Sequence, residues 1–214
     1  MYNKLELIHL TKKYGKQTVL NDVNATFSDN QITGIVGRNG SGKTVLLRTI
    51  SGLCKSNQGC VKLDGKVVGK DIEFPDSMGI LIEAPGFLPN YSGKQNLRFL
   101  AELHNKVHLS EIEAMMKCVG LDAQSKKHVS KYSLGMRQRL GIAQALMEEP
   151  SLLLLDEPFN SLDKKGVNEM RQLIASYRAK GHIILLCSHN QADISELCDC
   201  VYEMDNGILC PAEA

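Results

Sequence analysis

The chain has 214 residues, 43% of them hydrophobic and 23% charged, with a formal net charge of +1; this allows one well-buried core, with or without an inserted subdomain, and excludes a disordered or fibrous protein. Basic and acidic residues are interspersed, so the one-sided basic field that grips nucleic-acid phosphates is missing and no nucleic-acid partner is expected. No apolar stretch approaches the roughly 18 residues of a bilayer span, the start lacks a signal-peptide apolar region, and seven cysteines without framework spacing read as reduced thiols, so a cytoplasmic protein is expected.

Alternation over residues 4–10 and a second run near 19–27 predict an antiparallel β layer. Residues 32–36 form a short apolar strand that ends at a glycine-rich loop, after which 45–50 continues as a helix. Asp64-Gly65 separates two strand-like runs, and both residue types tolerate the positive φ of a tight hairpin turn. From about Ala84 to Glu149 the pattern is helical. Ser92 with Gln95, and Ser110 with Glu113, have capping-box spacing, and Gly120 is placed to stop the second of these helices. Residues 152–155 and 182–187 are fully apolar strands with a helix over 164–179 between them, the rhythm of a buried parallel sheet. Asn206-Gly207 predicts a last hairpin. One domain over 1–214 is expected, with its core at about 1–83 and 150–214 and a helical subdomain at about 84–149.

Gly37-Arg38-Asn39-Gly40-Ser41-Gly42-Lys43-Thr44 fits the P-loop pattern, whose glycines let backbone N–H groups curl around phosphate oxygens at a helix N-terminus. Lys43 is suited to the β- and γ-phosphates and Thr44 to Mg²⁺. Four leucines ending in Asp156-Glu157 put a carboxylate at the C-terminal edge of a buried strand, where open α/β sheets bind ligands. Asp156 is suited to Mg²⁺ and its waters, and Glu157 to orienting the attacking water. Standing alone, this segment reads equally as a strand end and turn. Cys198 with Cys200, and His104 with His108, do not complete a four-ligand metal set; they read as a partly buried thiol pair and two imidazoles one turn apart on a helix.

Together these motifs resemble the ATP-binding-cassette (ABC) ATPases over nearly the whole chain. The resemblance implies an α/β P-loop NTPase fold with a RecA-like core, an N-terminal antiparallel β layer and an inserted helical subdomain. Tyr132-Ser133-Leu134-Gly135-Met136 stands where the family has its signature, so Ser133 and Gly135 are expected to bind the γ-phosphate of ATP held by the opposite subunit. Leu134 and Met136 replace a glycine and a glutamine of that pattern; alone, Ser133 would read as an ordinary N-cap. Asn160-Ser161-Leu162-Asp163 matches the D-loop, and His189 the switch histidine. Tyr14 falls where the family stacks an aromatic ring on adenine, the alternative being an amphipathic surface tyrosine. Glu83 stands in place of a glutamine that senses Mg²⁺ and borders the membrane partner's docking groove; a carboxylate can also ligate Mg²⁺.

The resemblance therefore implies a subunit that binds and hydrolyses ATP with Mg²⁺ at the inner face of the cell membrane. Its expected partners are membrane transporter subunits on separate chains and a second ABC ATPase subunit, identical or different. Glu83, the form of the signature and the absence of a C-terminal regulatory domain resemble bacterial exporters of antimicrobial peptides and other drugs. A soluble ABC ATPase acting on nucleic acid or ribosomes is the alternative. A P-loop kinase ranks last, because kinases of this size lack the signature, D-loop and switch histidine.

Overall fold

The computed structural model describes residues 1–83, 85–104 and 106–212. The subdomain boundary expected at Ala84, and Asn105 between the two histidines, lie outside the described residues.

An antiparallel sheet opens the chain: β1 (Lys4–Tyr14), β2 (Gln17–Ser28), β4 (Gln58–Leu63) and β5 (Lys66–Val67), in spatial order β2-β1-β4-β5. β1 and β2 run past the expected 4–10 and 19–27. Register shifts along their pairing let both strands bend, and positive φ at His9 and Asp22 falls among those shifts. β3 (Gln31–Val36) starts the second sheet and leads through the loop into α1 (Lys43–Ile50). That sheet has the order β10-β9-β3-β8-β7-β6, adding β6 (Met78–Leu81), β7 (Leu152–Asp156), β8 (Ile183–Cys187), β9 (Cys200–Asp205) and β10 (Ile208–Pro211). Pairing is parallel from β9 to β6, and β10 returns antiparallel over the turn at Asn206-Gly207.

Why the central strands read as unbroken apolar runs is visible in how they divide. On β7, Leu152 and Leu154 face a core shared with α1 and the antiparallel sheet, whereas Leu153 and Leu155 face the opposite core. β8 repeats this, with Ile183 and Leu185 on one side and Ile184 and Leu186 on the other. Successive side chains of a strand point to opposite faces, so burial on both faces leaves no position for a polar residue.

Between β6 and β7 run α2 (Gly93–His104), α3 (Leu109–Cys118) and α4 (Leu134–Leu146), and α5 (Lys164–Arg178) and α6 (Gln191–Leu197) follow β7 and β8. The Ser92 capping box forms: the Ser92 N–H donates to Gln95 Oε1 at 2.9 Å and the Gln95 N–H to Ser92 Oγ at 3.3 Å. The second expected box does not. α3 starts earlier than Ser110 implies, with His108 as its N-cap and Glu111 Oε2 accepting from the His108 N–H at 2.7 Å. Both spacings have a glutamate three residues on, and the exposed leucine at 109 gave no sign that the helix had already begun. Gly120, at φ 74°, ends this helix as expected. His104 and His108 do not share a helix: one closes α2, where Nδ1 lies 3.0 Å from Glu148 Oε1, and the other precedes α3. β6 and α6 were not foreseen, both being too short for a periodic signal.

Candidate active site

The ends of β3, β7 and β8 lie at one edge of the parallel sheet, and the loop of residues 37–42 emerges there. α1 begins at Gly42, whose φ of 115° excludes most other residues, and a Cβ there would stand 2.8 Å from the Val19 carbonyl. No side chain caps α1. The first N–H groups of a helix have no partner within it, so this end offers uncommitted donors to an anion. Ser41 Oγ, buried beside them, has no hydrogen-bond partner among the described residues. Lys43 is buried too and turns back, its Nζ donating to the Gly37 carbonyl at 2.6 Å and the Arg38 carbonyl at 3.2 Å. An ammonium turned to two backbone carbonyls, next to that hydroxyl and open helix donors, fits a phosphate chain.

From the neighbouring strand end, Asp156 Oδ2 accepts from Thr44 Oγ1 at 2.5 Å. These oxygens are the type a hard divalent cation takes. A cleft of about 670 Å³ brings together Asn39, Gly40, Gly42, Lys43, Thr44, Glu83, Asp156 and Glu157. Glu83 is paired with Arg48, Oε2 to Nη2 at 2.9 Å. No sequence motif marks Arg48, which lies one helical turn beyond Thr44 on α1.

Glu157 and His189 meet directly. Glu157 Oε1 accepts from the His189 N–H at 3.1 Å and lies 2.8 Å from His189 Nδ1. With an ionised carboxylate as acceptor, Nδ1 is the donor, which leaves Nε2 as the free face of the ring. Glu157 Oε2 takes no protein hydrogen bond among the described residues, so it can receive one from a water. His189, Gly37, Arg38 and Ser41 line a second cleft on the other side of the loop.

Three of the expected residues stand apart. Ser133 and Gly135 line neither cleft; Ser133 is exposed and accepts from the Met136 N–H at 3.2 Å as the N-cap of α4. Gly135 packs on the D-loop, where a Cβ would come within 2.8 Å of the Ser161 carbonyl. Tyr14 is 51% exposed, with its hydroxyl 3.3 Å from Cys54 Sγ and the Lys12 ammonium 4.8 Å from its ring centre. The hydrogen bond to Cys54, then burial, push the Tyr14 phenol up. Burial raises the Cys54 thiol as well, but hydrogen bonds from Tyr14 and Lys12, the Lys12 charge and Thr49 outweigh it and hold the thiol below its ordinary value. Among the other cysteines, Cys198 is packed on Gly34 and burial pushes its thiol up to about 12, while Cys200 Sγ lies 3.1 Å from Thr33 Oγ1.

Gln138 is a further residue the sequence did not single out. Its Nε2 donates to the carbonyls of Glu157 at 3.1 Å and Pro158 at 2.9 Å, fastening α4 to the end of β7.

A family model described as "ABC transporter" matches residues 20–160. The protein named "Uncharacterized ABC transporter ATP-binding protein YybJ" of Bacillus subtilis (strain 168) is 42% identical over 205 residues, covering 96% of this chain and 94% of that protein. The bacitracin transport ATP-binding protein BcrA of Enterococcus faecalis is 40% identical over 207 residues, 96% of this chain and 67% of the relative. The lantibiotic transport ATP-binding protein SrtF of Streptococcus pyogenes is 35% identical over 196 residues, 91% and 84%. A solved structure of an ATP binding subunit of an ABC transporter superposes with a TM-score of 0.87 at 25% identity, covering 97% of this chain and 89% of the other. With the family model spanning most of its length and relatives this similar along it, the chain belongs to the ABC transporter family, as an ATP-binding and ATP-hydrolysing subunit.

Proposed function

We propose that this subunit powers export of antimicrobial peptides or similar drugs, closing on ATP as a dimer beside membrane subunits supplied by other chains. The bacitracin and lantibiotic transport relatives support the cargo class, and their role in transport leaves the nucleic-acid alternative without support. Work at the cytoplasmic face of the membrane follows from this reading; no helix among the described residues is long and apolar enough to cross a bilayer.

The observation that carries the catalytic reading is the convergence of Lys43, Thr44, Asp156 and Glu157 on one cleft, with His189 bonded to Glu157. In that reading the loop N–H groups, Ser41 and Lys43 hold the β- and γ-phosphates. Mg²⁺, held by Thr44 and Asp156 with Glu83 on the same wall, would neutralise charge on the phosphates. Glu157 orients the attacking water through Oε2, and His189 keeps the carboxylate turned while presenting Nε2 towards the γ-phosphate. Tyr14 carries the adenine. Ser133 and Gly135 complete the site of the opposite subunit, which fits their absence from the lining of their own chain's clefts, although Leu134 between them borders the first, and accounts for the low turnover expected of an isolated protomer.

Two variants test this. Lys43→Ala is expected to abolish tight ATP binding, measured by equilibrium titration. Glu157→Gln is expected to keep binding and lose steady-state hydrolysis; parental turnover by Glu157→Gln would remove the role given to Glu157.

A further inference from the structure

Next to the Glu157–His189 pair runs a largely buried ionic chain whose members Arg171, Asp193 and Ser188 line neither cleft of the site. Arg171, about two turns into α5, has a side chain only 12% exposed, and Asp193, in the first turn of α6, is 4% exposed. Arg171 Nη2 meets Asp193 Oδ1 at 2.5 Å, and Nη1 bonds to Glu196. The other oxygen, Asp193 Oδ2, accepts from Ser188 Oγ at 2.9 Å, and Ser188 Oγ in turn accepts from the Asn190 N–H at 3.1 Å. The residue between them is His189.

The turn 188–190 is thus gripped from two sides, by Glu157 at the His189 N–H and by Asp193 through Ser188. Arg171 reaches the other partner as well: its guanidinium lies 5.9 Å from the ring centre of Phe159, two residues beyond Glu157 and itself buried. One side chain therefore packs beside the segment that follows Glu157 and is linked, through Asp193 and Ser188, to the turn that carries His189. A buried ion pair gains little net stability, because desolvation cancels much of its attraction. Its geometric specificity is the better explanation for its presence here.

We propose that Arg171 and Asp193 are positioning residues for ATP hydrolysis, fixing through Ser188 and Phe159 the separation and orientation of Glu157 and His189. Because α5 begins at the D-loop residue Asp163, the same arginine ties the placement of that loop to the placement of the histidine. This inference rests on the reading of Glu157 and His189 as hydrolytic groups.

The test uses the purified full chain with Mg-ATP varied up to saturation, and KM, kcat and melting temperature measured for Arg171→Met, Asp193→Asn and the double variant Arg171→Met/Asp193→Leu. Misplacing a catalytic group by about an ångström costs up to about a hundredfold in rate, so kcat is expected to fall roughly ten- to a hundredfold while KM for ATP stays within about twofold. The double variant, which leaves no unpaired buried charge, should recover thermal stability but not turnover. Parental kcat in the folded single variants, or recovery of kcat together with melting temperature in the double variant, overturns the proposal. His189→Ala and Glu157→Gln serve as references. If they turn over at the parental rate, the hydrolytic reading itself fails; if they are slow and the Arg171 and Asp193 variants are not, only the positioning role fails.

Discussion

Glu157 sits at φ 48°, a left-handed backbone that costs a non-glycine residue about 1–2 kcal/mol. Its N–H donates to the Cys187 carbonyl at 2.9 Å and its carbonyl accepts from Gln138, so the strained residue is held from both neighbours. Removing Gln138 with alanine frees the backbone without touching the carboxylate. Turnover is expected to fall roughly tenfold at unchanged ATP affinity, which parallel hydrolysis and binding measurements separate. At Cys54 the lowered thiol predicts a different readout. Iodoacetamide near neutral pH should label Cys54 ahead of Cys187 and Cys198, whose thiols burial pushes up. If Tyr14 carries adenine, ATP should slow that labelling, and mass spectrometry of the labelled chain reads both effects. Lys43, Thr44, Asp156, Glu157 and His189 were legible in the sequence because each occupies a fixed place at a strand end or helix start. Arg48, Gln138 and Arg171 were not, because each meets its partner across the fold and no local pattern marks it.

Among the elements, β7 carries the most. Its leucines bind the two cores together, and its last residue delivers Asp156 to the phosphate loop. Leu154→Ala would leave a cavity between α1 and the sheet and is expected to cost about 2–5 kcal/mol, measured as a lower urea midpoint with unchanged slope. The central strands and α5 were readable from periodicity and from fully apolar runs. Where the sequence misled, two signals competed within a few residues: Ser110 and His108 each precede a glutamate at capping distance, and only packing of Ile112 and Met116 into the helical core fixes the helix phase. The short β6 and α6 owe their form to neighbours. β6 pairs along β7, and α6 packs Ile194 and Leu197 into the core beneath it.

At the scale of the molecule, the signature segment stands at the border of the cleft that holds the phosphate loop and its carboxylates: Leu134 lines it, whereas Ser133 and Gly135 do not. Ser133 and the 70% exposed Leu134 stand at the uncovered tip of α4. Within one protomer Ser133 caps α4 and Leu134 borders the cleft, and both still present exposed surface at the helix tip. That surface is covered if a second copy brings its own ATP against the tip. The sequence made this arrangement legible only through resemblance, since nothing within one chain encodes what lies opposite Ser133. The most direct measurement is the mass in solution of the Glu157→Gln chain, by light scattering, with and without saturating ATP. ATP is expected to double the mass, and adding Ser133→Arg to abolish the doubling while leaving ATP binding intact. A single-protomer mass at saturating ATP, with nucleotide bound, would contradict the shared site.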